Sequence, residues 1–551
     1  MGAEKEYMGS VPTDSHDVES PYPEGQTEFS LAGEGAQLER GLKSRHIQFL
    51  ALGGAIGTGL FVGSGAILGD TGPAPLFMGY LSMMMVVYCV MNILAEIATY
   101  LPMRGITVPY FVNRFVDPSL AFAAGWNYWY AYSILVGAEA VAAGIVISYW
   151  EPPVHIAVWI AIVLVVMLLL NILAVSLFGE AEFWFASIKF ITIMGLIILG
   201  IVIFFGGGPN QTKVRGFTYW KNPGAFKEYG AKGATGNFLA YWHAFAAAGF
   251  AFITSPELIA TAAGETVAPR RNIPKAARRF IWRLAIFYGV SSLLIGILVP
   301  YNNKELLSNK GSGNASASPF VIGIQNVGID VLNHIINAAV LTSAWSAGNS
   351  FLYSGSRVLY SLSLKGQAPR IFSRTNRNGV PYAAVLATWA IGLLAFLNSS
   401  KSGETVFTWF SNISTISGYI AWIVVLITYI RFRKAMVLNN ILSELPFKTP
   451  FQPYLSYFTL FLITLLTLTN GFQFFIKGQW DVEGFIAAYI TIPIFLVLYL
   501  GHKIFTRNWK FAIPISEIDV FSGKQEMDEL AARDVVPVAK NVWMKVWYWI
   551  A

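Results

Sequence analysis

The sequence predicts an all-α integral membrane protein with twelve transmembrane helices. Of its 551 residues, 55% are hydrophobic and only 13% are charged, and the mean hydropathy is +0.53. A soluble chain carries about 25% charged residues. Apolar runs that are long enough to cross a bilayer, about 20 residues each, recur along the chain. The twelve predicted spans lie near residues 47–68, 75–99, 119–148, 154–177, 183–205, 235–262, 280–300, 331–361, 381–398, 405–430, 453–475 and 484–504.

The placement of basic residues predicts the orientation of these spans. Lysines and arginines cluster after the sixth, eighth and tenth spans, within residues 270–283, 357–377 and 431–434. The positive-inside rule puts such clusters in the cytosol, and both termini with them. We therefore predict a disordered cytosolic tail at 1–45, a transporter domain at 46–504 and a cytosolic tail at 505–551. The net charge of +7 fits basic cytosolic loops better than nucleic-acid binding.

The first span contains the most unusual segment, GGAIGTGLFVGSG, with six glycines between residues 53 and 65. Each glycine weakens a helix by about 1 kcal/mol relative to alanine, and lipid cannot satisfy exposed backbone groups. We predict that the helix unwinds from Ile56 to Gly59. The N–H groups of Gly57, Thr58 and Gly59 would then begin a second half-helix and attract a carboxylate. Alternatively, the glycines only permit close helix packing.

The sixth span is interrupted as well, at Thr254-Ser255-Pro256-Glu257. Proline removes a helical hydrogen bond, so an unwound stretch at 250–253, which includes Phe250, Ala251 and Ile253, would offer carbonyl groups to an amine. Together, the two breaks match a zwitterion. Broken helices in corresponding positions of two halves indicate a five-plus-five inverted repeat with the binding site between them. The alternative for Pro256 is a plain kink.

The clearest ionisable residues inside predicted spans are Glu139, Lys189 and Glu257. Charges at this depth are expensive and mark functional sites by default. We predict a site or gating role for Glu139, and a gating role for Glu257. Lys189 would supply a positive charge beside the first break and load the coupling proton, unless its side chain only reaches to the membrane interface.

Other motifs carry less weight. The aromatic run from Trp126 to Tyr132 is typical of an interfacial belt, so no substrate role is assigned to it. The sequence has one cysteine, Cys89, which excludes a disulfide framework. Because it lacks a phosphate-binding loop, metal-ligand spacing and a nucleophile elbow, the sequence predicts neither an enzyme nor a cofactor.

Long motifs give the chain a specific resemblance. It resembles the fungal amino acid permeases of the yeast amino acid transporter family, within the amino acid–polyamine–organocation superfamily, from about residue 42 to the C-terminal tail. The segment from Ser255 is similar to the proline permease branch. The matching strings are GLKSRHIQFLALGGAIGTGLFVGSG, EIATYLP, FWFASIKF, PRRNIPKAARRFIWR and SAGNSFLYSGSRVLYSLSLKGQAP.

The resemblance implies a leucine-transporter-like fold and proton-coupled uptake of an L-amino acid at the plasma membrane. It also implies a substrate carboxylate at Gly57, Thr58 and Gly59, an amine at 250–253, and roles for Glu139 and Lys189. L-proline is the expected substrate, together with γ-aminobutyrate or other small neutral amino acids. Phe250 is expected to close over the ligand from outside.

Several alternatives remain open from the sequence. A basic or broad-range amino acid permease is possible because Glu139 and Glu257 could receive a cationic side chain. An exchanger would differ only in its coupling, and an amino acid sensor would bind without transport. Expected partners are the substrate, a proton and membrane lipids, together with ubiquitin-ligase and trafficking machinery acting on tail lysines.

Overall fold

The computed structural model describes residues 57–101, 108–173, 175–253, 256–257, 269–304, 306 and 318–532, and these are helices joined by turns, without strands. The predicted N-terminal tail, Ile56, Ser255 and the last nineteen residues lie outside this set. The helices are α1 Ser64–Thr71, α2 Pro73–Tyr100, α3 Val108–Phe115, α4 Pro118–Ile147, α5 Ile156–Leu173, α6 Val175–Phe204, α7 Gly233–Ala248, α8 Pro269–Leu284, α9 Ser291–Leu298, α10 Pro319–Gln325, α11 Asp330–Leu364, α12 Tyr382–Gly392, α13 Gly403–Leu438, α14 Tyr454–Thr469, α15 Val482–Tyr489, α16 Thr491–Thr506 and α17 Lys524–Ala532.

Within the described residues, seven helical segments are long and apolar enough to cross a membrane. An eighth results if α15 and α16, which are bent by 42° at Ile490, form one span. The predicted class of an all-helical, multi-pass membrane protein is confirmed.

Two predicted span starts differ from the structure by more than two residues. The fifth span was placed from residue 183, whereas α6 begins at Val175 and holds Glu180 and Glu182 inside the helix. The seventh span was placed from residue 280, whereas α8 begins at Pro269 and includes the basic cluster. A hydropathy pattern places the end of a span at the first charged residues. The backbone hydrogen bonds of the helix continue past those residues, so the helix is longer than the apolar run.

Helix α4 lies at the centre of the molecule. It packs against α3, α5, α11, α12, α13 and α16, and the apolar window of its span is 94% buried, compared with 22% for α5. A helix that is apolar all round belongs in a core. The small residues of α4, such as Gly125, Gly137 and Gly144, receive neighbouring side chains at close range, which lets the surrounding helices approach it.

The basic clusters meet the described part of the C-terminal tail at one end of the molecule. Arg270 pairs with Asp528, Arg114 pairs with Asp519 at 3.2 Å, and Arg431 donates to the carbonyls of Phe115 and Ile513. We call this the basic end of the molecule. It is the end that the positive-inside rule assigns to the cytosol.

One buried ion pair fixes the start of α4 to the end of α16. Lys503 Nζ lies 3.2 Å from Asp117 Oδ1, and both side chains are 2% exposed. Asp117 also caps α4 by accepting from the Leu120 N–H at 3.0 Å. Because removal of one partner leaves a buried charge uncompensated, the Lys503→Met variant should lose about 3–5 kcal/mol of unfolding free energy.

The measurement is thermal unfolding of the detergent-purified protein. The matched control is Lys401→Met, which breaks a 3.1 Å pair with Glu483 whose side chains are 48% and 53% exposed. Exposed pairs contribute about 0–1 kcal/mol, so its midpoint should barely move. Equal shifts of the unfolding midpoint in the two variants would contradict a stabilising role for the buried Lys503–Asp117 pair.

Candidate functional site

The helical segment that begins at Thr58 faces the C-terminal end of α7. A π-helical segment, Gly59–Gly63, precedes α1, and a 3₁₀ turn, Gly249–Ala251, follows α7. A Cβ atom on Gly59 would lie 2.7 Å from the Ala251 Cα and 2.9 Å from its Cβ. Only glycine therefore fits at position 59, and the two breaks that the sequence predicts lie against one another.

The first break presents the start of a helix. Helical structure begins at Thr58, directly after the bend at Gly57, so the N–H groups of Gly57, Thr58 and Gly59 lie at a helix N-terminus. Such groups have no intrahelical acceptor. The Gly59 carbonyl accepts from the Tyr80 hydroxyl at 3.0 Å, which anchors this segment to α2.

The second break ends α7. The N–H groups of Phe252 and Ile253 both donate to the Gly249 carbonyl, at 2.9 and 3.0 Å, so the regular helical pattern stops there. The Ala251 carbonyl accepts from the Tyr288 hydroxyl at 2.9 Å, and the Ala246 carbonyl accepts from the Tyr419 hydroxyl at 2.7 Å. Part of the predicted carbonyl set is thus already hydrogen-bonded to tyrosine.

Glu139 links the first break to α4. The Thr58 hydroxyl donates to Glu139 Oε1 at 3.0 Å, and both side chains are buried. The Thr58 hydroxyl is therefore already bonded to a carboxylate in this structure. Lys189 is 1% exposed, which rules out the interfacial position. It interacts electrostatically with Glu139 and with a further acid, Glu182.

Sequence reasoning missed Glu182. It is buried in α6, and its Oε2 accepts from the Ser346 hydroxyl of α11 at 2.8 Å. The available signal was an acid seven residues before Lys189, a spacing that puts both on one helix face. It was overlooked because residue 182 fell between two predicted spans.

Glu257 lies where two cavities meet. One is lined by Ile253 and by residues of α4 and α13. The other extends towards Val108 and Lys365 near the basic end. Both share Glu257, Tyr128 and Tyr132. The interpretation of this aromatic run as an interfacial belt is therefore wrong for Tyr128 and Tyr132, because both are buried in the protein.

Two neighbouring side chains hold the Glu257 carboxylate. The Trp422 indole N–H donates to Glu257 Oε1 at 3.1 Å, and the Tyr128 hydroxyl donates to the same oxygen at 3.4 Å. These bonds join the segment after the second break to α13 and α4. Movement of that segment would have to break them.

Phe250 lies away from these cavities. Its ring packs edge-to-face with Phe407 at 5.4 Å between centroids and approaches Gly63. It is 9% exposed. Phe250 therefore contacts both the helical segment that follows the first break and α13.

Comparison with known proteins identifies the family. The family model named "Amino acid permease" matches residues 46–514. The chain belongs to this family. The permease is 54% identical to a proline-specific permease of Emericella nidulans, over 97% of each chain. It is 54% identical to a probable proline-specific permease of Schizosaccharomyces pombe, over 90% of each, and 49% identical to one of Saccharomyces cerevisiae, over 90% of this chain and 80% of the relative. The resemblance to fungal permeases of this branch is confirmed.

The contact between the breaks gives a direct prediction. A Gly59→Ala side chain would overlap the Ala251 backbone, so the variant should lose about 1–3 kcal/mol of unfolding free energy through overpacking. Gly63→Ala is the control, since its new Cβ would lie 4.0 Å from Phe250. Thermal unfolding should show a lower midpoint for Gly59→Ala alone. A Gly59→Ala protein as stable as Gly63→Ala would refute the contact.

Proposed function

We propose that this permease takes up L-proline at the plasma membrane together with a proton, by alternating access. The observation that carries the proposal is the meeting of the helix start at Gly57–Gly59 with the helix end at 250–253. These two backbone sites have opposite partial charges, as the two ends of a zwitterion require. The names of the relatives support proline, and γ-aminobutyrate or another small neutral amino acid is a second candidate substrate.

The substrate carboxylate would accept from the N–H groups of Gly57, Thr58 and Gly59, with Ile56 beside them. The amine would donate to free carbonyl lone pairs at 250–253, with Ser255 following. Glu139 holds Thr58 at 3.0 Å and so orients the carboxylate site. The close approach of Gly59 to Ala251 favours a small substrate over a bulky one beside these breaks.

The proposed architecture has twelve spans in a leucine-transporter-like five-plus-five inverted repeat, with both termini in the cytosol. The gathering of basic residues at one end supports this orientation. In this arrangement the first and sixth spans are broken helices at the repeat interface, where transporters of this architecture bind substrate. Tail lysines exposed to the cytosol would be available to ubiquitin ligases and trafficking machinery.

Alternating access would use the contacts on either side of the breaks. On the outer side, Phe250 packs against Phe407 and closes the route. On the inner side, the cavity at Glu257 leads towards the basic end. Release would then require Glu257 to part from Tyr128 and Trp422, which makes Glu257 an inner gating residue and Phe250 an outer one.

Lys189 supplies the positive charge beside the first break and takes part in proton coupling. The membrane potential contributes about 2.3 kcal/mol per charge per 100 mV. Carrying one proton with a zwitterion would therefore concentrate the substrate inside the cell.

Uptake tests the proposal directly. Radiolabelled L-proline would be supplied at acid and neutral pH to a fungal strain that lacks its own amino acid permeases and expresses this chain. We expect saturable uptake that is stronger at acid pH and abolished by a protonophore. Unlabelled γ-aminobutyrate, arginine, glutamate and leucine, as competitors, define the range. If the protein is at the cell surface and proline is not taken up, L-proline is not the substrate. Binding of proline without uptake would indicate a sensor.

The role of Lys189 has its own test. Lys189→Ala removes the buried positive charge, so accumulation of proline above the external concentration should be lost. Lys213→Ala is the control, because Lys213 is exposed outside the helices, and it should accumulate proline as the unmodified chain does. Both variants are measured at equal surface amounts. Normal accumulation by Lys189→Ala would end the proposed role.

A further inference from the structure

Three buried ionisable side chains form one group that we call the Lys189 triad: Lys189 with Glu139 and Glu182. Glu182 and Lys189 lie on one face of α6, and Glu139 lies on α4. Lys189 interacts electrostatically with both acids. Each acid has one oxygen bonded to a hydroxyl, Thr58 for Glu139 and Ser346 for Glu182. Each also has a second buried oxygen that accepts no hydrogen bond from the described residues.

The triad contains two acids and only one base. With all three groups ionised, it buries a net negative charge, and an uncompensated buried charge costs several kcal/mol. The helices packed against α6 do not compensate it. Helices α5 and α9 contain no charged residue, and the charged residues of α11 lie towards its ends, at 330, 334 and 357. One bound proton makes the triad neutral.

On α6, Glu182 lies closer to the basic end than Lys189. The chain that follows α11 meets the first turns of α4, where the Trp126 indole N–H donates to the Gln367 carbonyl at 3.2 Å. In the loop that follows, Asn376 and Asn378 donate to the last carbonyls of α5, at Ile172 and Leu173. Helix α6 therefore starts at the basic end. Glu182 is seven residues from this start, about 10 Å along the axis, whereas Lys189 is two turns deeper.

We propose that Glu182 carries the coupling proton and releases it towards the basic end, a role that rests on the proton-coupled uptake proposed above. The proton binds as the O–H of the Glu182 carboxylic acid while Lys189 stays paired with Glu139. On release, this O–H bond breaks, the proton passes to water at the basic end, and the Glu182 carboxylate pairs with Lys189. Lys189 offsets one of the two negative charges after release, and Glu182 exchanges the proton.

Substrate binding would favour the loaded form. A substrate carboxylate at Thr58 brings a second negative charge beside Glu139, because Thr58 and Glu139 are hydrogen-bonded. An added negative charge makes proton binding by the triad more favourable, and the coupling is reciprocal. Loading is thus linked to the first break, and release to the loss of the substrate.

The experiment uses the full chain in proteoliposomes with a membrane potential of about 100 mV, inside negative. At this potential one cotransported proton supports accumulation of about 50-fold. The Glu182→Gln variant cannot exchange a proton at this site, so accumulation should fall to about onefold and proline-driven proton flux should vanish, while exchange of labelled for unlabelled proline persists. The control is Glu180→Gln, at a partly exposed acid of the same helix, which should behave as the unmodified chain.

A second variant tests the pH dependence of uptake, which would not change if Glu182 were only structural. Ser346→Ala keeps the acid but removes the hydroxyl that stabilises its ionised form, so half-maximal proline uptake should move to higher pH. If the Glu182→Gln protein does not fold, the pH profile of Ser346→Ala tests the proposal instead.

Proline-driven proton flux in Glu182→Gln, or an unchanged pH profile in Ser346→Ala, would overturn the proposal. Proline uptake without proton flux in the unmodified chain would overturn the proposed symport itself, and would be seen before any variant is compared.

Discussion

The contact between Gly59 and Ala251 is the constraint on which the rest of the site depends. Interrupting two helices inside a membrane frees backbone groups that lipid cannot satisfy. Here the freed carbonyls find hydroxyl donors, Tyr80 for Gly59 and Tyr288 for Ala251. The two tyrosine rings stack at 6.2 Å between centroids. The breaks are therefore stable only because they meet, and a shared aromatic cluster anchors both.

The need to satisfy buried polar groups also explains the partners of the buried acids. Glu96 accepts from the Tyr429 hydroxyl and the Thr449 N–H, at 2.9 and 2.7 Å, with Arg433 at 3.7 Å. It joins three segments near the basic end and has a full set of partners, as expected of a structural group. Glu139 and Glu182 each keep one oxygen without a donor among the described residues. This difference distinguishes Glu96 from the two acids of the Lys189 triad.

Sequence reasoning identified residues that are costly by themselves. Glycines, a proline and isolated charges inside apolar runs pointed to both breaks, Glu139 and Lys189, because each is unfavourable in a lipid-exposed helix. It failed where the cost depends on neighbours. The inward direction of Tyr128, the Thr58–Glu139 bond and the Ser346–Glu182 bond all require knowing which helix faces which. Glu182 was missed for a further reason, since hydropathy shortened α6 by eight residues.

Helix α4 connects the two chemical regions of the permease. Tyr128, at the Glu257 cavity, precedes Glu139 by eleven residues, which is three helical turns or about 16 Å on the same face. The first break is bonded to α4 through Glu139, and the segment after the second break is bonded to it through Tyr128. Because α4 is buried on all sides, it is the rigid reference for both. A rearrangement could release Glu257 from Tyr128 while Thr58 stays hydrogen-bonded to Glu139. Such a rearrangement must occur within the broken helices, because α4 is rigid. The interruptions in these helices permit it.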